Sequence, residues 1–239
     1  MKRTQRWALI LGLGLVATAN GVAAVKTYPT TAVDTSLVIT VHVYNYAEVD
    51  RKTLTEAETV ATEIFRKAGV ETRWIDSSDT QHPNLVKDGS WDLTHLVLSI
   101  LSEQMSHRLP LANEVMGVAP GAGLNRQLVY VLYSRVKSCA RDLLAESMRR
   151  RQGEYVGMGQ ILGHAIAHEF GHLLLNLDSH SPTGIMRGRW DNNDFIAATH
   201  GDLLFAPRQA EVIRADVARR LIQHQTAEVA SFESLNLVR

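Results

Sequence analysis

The sequence predicts an α+β domain, a small mixed and twisted sheet with helices followed by a helix-bearing C-terminal part. Three observations carry that prediction. Short runs rich in β-branched residues recur between Ser36 and Tyr133, which is how strands read. One stretch among them, from Thr53, spaces its apolar residues as a helix does. From Ser134 onward every periodic segment is helical, so strands and helices are largely segregated along the chain.

Ser36 to Tyr44 alternates apolar and polar residues and gives the first strand. Thr53 to Ala68 places Leu54, Ala57, Val60, Ala61, Ile64 and Phe65 on one face, and Gly69 stops it. Val70 to Ile75 and Thr94 to Leu101 are the second and third strands. Val115 to Ala119 is a short fourth strand ended by Pro120, and Gln127 to Tyr133 a fifth. A helix from Ser134 to Arg150 closes on basic residues, which suit a helix C-terminus. Met158 to Leu175 is the next helix. After an irregular stretch, Pro207 opens a last helix to about Gln223, since proline fits a first helical turn.

Residues 1–24 differ from the rest. Lys2, Arg3 and Arg6 precede an apolar run from Trp7 to Ala19, and Val22 and Ala24 stand at the −3 and −1 positions of a cleavage site. This is the form of a secretory signal peptide, and the run is short for a membrane span. Residues 25–35 then form an extended lead-in, 36–225 a single domain and 226–239 a frayed tail. The chain of 239 residues is 45% hydrophobic and 21% charged, enough for a sizeable core. Its 25 basic and 25 acidic side chains cancel, and removal of the leader leaves a net charge of −3. That balance gives no reason to expect nucleic acid or an anionic membrane as partner. The expectation is a monomer in the periplasm or outside the cell. The single cysteine, Cys139, excludes an internal disulfide and reads as a buried, inert thiol.

The chemistry is carried by His168-Glu169-Phe170-Gly171-His172. Residues four apart on a helix share a face, so His168 and His172 can aim their imidazoles at one point. Zinc accepts such nitrogens in tetrahedral geometry. Glu169 lies about 100° further round the helix, placed to take a proton from a zinc-activated water and return it to the leaving amine. The cofactor expected is Zn2+, and the partner a peptide or protein substrate.

The longer segment HEFGHLLLNLDSHSPTGIM resembles the metzincin clan of zinc peptidases, whose pattern is HExxHxxGxxH/D followed by a methionine turn. His168, Glu169 and His172 match it. Asp178 stands at the place of the third ligand, but Leu175 replaces the glycine that lets the chain swing back. The helix should therefore run on, with Asn176 as the turn. A later turn favours a later ligand, and His180, an imidazole, is preferred over Asp178. The segment is also similar to a group of secreted bacterial proteins with HExGHLLLG, three residues, then HSxxGIM. There the histidine before SxxGIM is the apparent third ligand, and His180 is its match. That similarity extends to YNYAEV, IFRKAGVETRWID and GIMRGRW.

By the same resemblance Met186 forms an apolar floor under the metal, and the fourth strand pairs with an extended substrate. No tyrosine follows Met186 to serve the oxyanion, which leaves Arg187 or Tyr155 as candidates. His164 reads as a hydrogen-bonded neighbour rather than a ligand. His42, His82, His95, His107, His200 and His224 show no ligand spacing and read as surface or satisfied polar residues. The resulting expectation is a secreted zinc-dependent endopeptidase with ligands His168, His172 and His180 and general base Glu169. Two alternatives stand beside it. One is a gluzincin-type peptidase that takes Glu211 as third ligand, the other a secreted binding module stapled by zinc without catalysis.

Overall fold

The computed structural model describes residues 36–78, 92–112, 114–120, 126–150, 156–176 and 180–236, with side chains given for all of these except Arg150 and 227–236. The leader, the lead-in, His82, Tyr155 and Asp178 lie outside the described residues.

The first strand, Val38–Asn45 (β1), is followed by the helix Arg51–Lys67 (α1) and the strand Glu71–Asp76 (β2). Asp50 starts α1 by accepting a hydrogen bond from the Thr53 N–H at 3.0 Å, which satisfies one of the donors every helix start leaves bare. Gly69, at φ 83°, ends the helix and turns the chain into β2. Next come His95–Leu101 (β3), the single turn Glu103–Ser106 (α2), Gly117–Val118 (β4) and Leu128–Leu132 (β5). The C-terminal part holds Tyr133–Arg150 (α3), Met158–Leu175 (α4), Asn192–His200 (α5) and Pro207–Asn236 (α6).

The five strands form one sheet in the order β2-β1-β3-β5-β4. β1 pairs in parallel with β2 and β3, β3 in parallel with β5, and only β4 runs antiparallel, on β5. The sheet is mixed, as the sequence predicts, with α1 between its first two strands and α3 to α6 after its last. A parallel pair needs a crossover of about a dozen residues or more, and α1 supplies it between β1 and β2. The domain is therefore better described as mixed α/β with a mostly parallel sheet.

The core lies between the sheet and the pair α1 and α4. Ile39, Val41, Leu96, Leu98, Ile100, Val129 and Val131 are fully buried, and Ala57, Ala61, Ile64 and Phe65 of α1 close over them. α4 is apolar on nearly every side and buried from Ile161 to Leu175, the form of a central helix. Gly163 lets it approach α1, since a Cβ there would meet the Ala57 carbonyl at 2.6 Å.

Three helices exceed the sequence reading: the single turn α2, α5 and the end of α6. α5 opens on a reciprocal cap in which Asp191 accepts from the Asn193 and Asp194 N–H groups while Asp194 accepts from Asp191, and Gly201 (φ 73°) closes it. That signal lay inside the stretch read as irregular. α6 continues past Gln223 to Asn236, through a segment with no glycine or proline to stop it. Among the described residues no helix is long and apolar enough to cross a membrane.

Candidate metal centre

The C-terminal end of α4 sets the geometry. Leu175 keeps to the helix, and Asn176 takes the left-handed conformation predicted for it, at φ 49° and ψ 41°. Its N–H reaches back to the His172 and Leu173 carbonyls, which closes the helix and frees the chain to change direction. The buried Arg126, just ahead of β5, donates to the His172 carbonyl at 3.2 Å and places a cation at the negative end of α4.

Four residues apart on α4, His168 and His172 bring their Nε2 atoms to 3.2 Å. His180 completes the group, with its ring 5.3 Å from that of His168 and 4.9 Å from that of His172. One nitrogen from each of the three lies within 4.8 Å of the other two, and among the described residues no other cluster of three metal-ligating side chains forms. The donor set suits zinc. A tetrahedral site with nitrogens at about 2.0–2.1 Å has an edge of about 3.3 Å, close to the Nε2 spacing of the first two histidines.

The rings are oriented from behind. Nδ1 of His168 lies 2.7 Å from the Ile185 carbonyl oxygen. A carbonyl can only accept, so Nδ1 carries the proton and Nε2 presents its lone pair to the cluster. Burial holds the His168 imidazole down to about 4, with the neighbouring His172 and His180 adding to the effect against the Ile185 bond. It is thus neutral at pH 7, the form that ligates metal.

Glu169 is only 6% exposed, and burial pushes its carboxyl up to about 8. It lies directly against β4, where a Cβ on Gly117 would come within 2.5 Å of its Cγ and 2.7 Å of its Oε1.

Below the cluster, Thr183-Gly184-Ile185-Met186 makes a tight turn. Gly184 has φ 73°, and a Cβ there would meet the Leu204 carbonyl at 2.7 Å. The Ile185 N–H donates to that same carbonyl at 2.9 Å, and the Ser181 N–H to the Met186 carbonyl at 2.8 Å. Met186 is 1% exposed and fills the space that Gly171 leaves on α4. Gly188 lies against His180, so close that a Cβ would be 2.8 Å from its Cγ.

The remaining candidates go elsewhere. Arg187 binds Asp191 at 2.8 Å and Asp194 at 2.7 Å and so secures the start of α5. Glu211 is exposed on α6 and outside the histidine group. His164 is 1% exposed, and its Nδ1 donates to the Gln160 carbonyl at 2.8 Å. His42 and His95 hydrogen-bond each other at 3.0 Å, while His95 and His224 lie 3.8 and 3.6 Å from Asp92. Cys139 is half-buried, and burial with Asp142 nearby pushes its thiol up to about 11.

The Ile185 carbonyl, Gly117, Gly188 and Arg126 were not legible as site residues. The first acts through its backbone and the glycines through the side chain they lack. Trp190 stood in the GIMRGRW segment without a role, yet its ring is 5.7 Å from that of His168.

No family model matches the chain, and no curated protein matches it. Among solved structures it is similar to archaemetzincin from Methanopyrus kandleri, at 13% identity and a TM-score of 0.44, over 78% of this chain and 99% of that one.

Proposed function

We propose that this chain is a secreted zinc-dependent endopeptidase, with His168, His172 and His180 as ligands and Glu169 as general base. The observation that carries the reading is the convergence of three imidazoles beside a buried carboxylate. Three protein ligands leave one tetrahedral position open, as hydrolytic zinc sites require. Zinc held there would polarise the scissile carbonyl and acidify a water.

The chain's own residues do the rest. The Ile185 carbonyl keeps His168 in the ligating tautomer. Met186 and Phe205, against Gly171, keep the underside of α4 apolar. A carboxyl raised towards neutrality, as that of Glu169 is, can both take a proton from the attacking water and release it to the leaving amine near pH 7. β4 ends the sheet order, and its outer edge offers main-chain hydrogen bonds to an extended peptide. The basic, then apolar leader supports export.

The test is cleavage of a peptide library by the purified, zinc-loaded chain. Wild type should cleave, and Glu169→Ala should abolish cleavage while zinc content and fold persist. A wild-type protein that retains zinc but cleaves nothing would shift the reading to a zinc-stapled binding module.

A further inference from the structure

The Ile185 carbonyl receives two donors. His168 Nδ1 approaches it at 2.7 Å and Trp190 Nε1 at 3.1 Å. A carbonyl oxygen has two lone pairs, so both bonds form together and fix the plane of the peptide that joins Ile185 to Met186. That one peptide therefore carries both the hydrogen bond that orients His168 and the backbone of the methionine beneath α4.

The indole is itself held on several sides. Its ring stands edge-to-face with those of His168 at 5.7 Å, His164 at 6.3 Å and Phe195 at 6.0 Å. Phe195 belongs to α5, whose start is locked by the Asp191 cap and by the Arg187 fork to Asp191 and Asp194. His164 is fully enclosed, and among the described residues its Nε2 has no hydrogen-bond partner. Its contribution at this spot is thus the shape of its ring against the indole.

We infer that Trp190 is a positioning residue for the metal centre, acting on His168 through the shared Ile185 carbonyl. This rests on the zinc reading above. Ordinary packing would need only the indole's bulk. Positioning needs the N–H as well, because the N–H is what pins the peptide plane. Partners that orient a ligating histidine are worth about 10- to 100-fold in metal affinity.

Trp190→Phe separates the two, since it keeps an aromatic ring and removes the donor. The metal-free variant should unfold near the wild-type midpoint, bind zinc about 10- to 100-fold more weakly in a chelator competition, and give an altered visible spectrum with cobalt(II) in place of zinc. Wild-type zinc affinity together with an unchanged cobalt spectrum would overturn the inference. Should Trp190→Phe fail to fold, the wild-type indole decides by NMR. A Trp190 Nε1 proton that exchanges slowly and shifts on zinc loading supports the inference, and one that exchanges freely and does not respond contradicts it. A wild-type protein that takes up no zinc contradicts the metal-centre reading itself, an outcome distinct from a normal wild type with an indifferent variant.

Discussion

Gly117 and Glu169 touch so closely that the glycine has room for no side chain. A Cβ on Gly117 would lie 2.5 Å from the Glu169 Cγ and 2.7 Å from its Oε1. Gly117→Ala must therefore push the carboxylate away from its present position. Because a 1 Å displacement of a reacting group can cost about 100-fold in rate, kcat should fall by about that factor. Zinc content should be unchanged, because the three atoms nearest the added Cβ all belong to Glu169 and none to a ligand histidine. Activity within a few-fold of wild type would show that Glu169 is not the base or does not act from this position.

Gly188 plays the same part for His180. An added Cβ would come to 2.8 Å from the ring's Cγ and 2.9 Å from its Nδ1. His180 is exposed and can move aside, so Gly188→Ala should leave a folded protein with weakened zinc binding, by about 10-fold or more. Equilibrium dialysis of both proteins against a zinc buffer checks this.

His164 tests the boundary of the site. Its Nε2 is buried without a partner among the described residues, and leaving such a group unsatisfied costs about 1–3 kcal/mol. Its ring contact with Trp190 offsets part of that cost, at about 0.5–1.5 kcal/mol. His164→Leu also gives up the Nδ1 bond to the Gln160 carbonyl, so it should keep its zinc and change unfolding stability by no more than about 1 kcal/mol. Loss of zinc in this variant would place His164 among the ligands.

The pH dependence has a definite sign. In the fold His168 is held at about 4 against an ordinary value of 6.5. Between those values this imidazole is more protonated in the unfolded chain than in the folded one, so its own contribution to stability rises with pH. Metal-free protein should have this contribution in full above pH 6.5 and lose about 3 kcal/mol of it as the pH falls to about 4. Glu169, pushed up to about 8 in the fold, contributes with the opposite sign over the same range. The His168 effect is therefore read as the urea-midpoint difference between wild type and His168→Gln, which should shift against wild type as the pH falls.

Cys139 should be inert. With its thiol raised from 9.0 to about 11, the thiolate fraction at pH 8 is about 100-fold lower than in the unfolded chain. Alkylation by iodoacetamide should slow by at least that factor in the native protein.

Local signals were legible and non-local ones were not. The span of α4 follows from its apolar run and its αL-tolerant Asn176, and the His168 and His172 pair from helical spacing. Leu175 in place of glycine pointed to a later return of the chain, and the structure brings His180 into the group. Which strands of the mixed sheet run parallel was not legible, because strand direction depends on which partner a crossover reaches, and periodicity does not carry that. The roles of the Ile185 carbonyl, Gly117 and Trp190 depend on atoms distant in sequence, or on a side chain that is absent, and no spacing records either.

The most direct test is the metal content of the purified chain with leader removed, compared with His180→Ala and Asp178→Ala. About one zinc per chain is expected in wild type, little or none in His180→Ala, and nearly the full amount in Asp178→Ala. A wild type without zinc, or a His180→Ala protein that keeps it while Asp178→Ala loses it, would contradict the account.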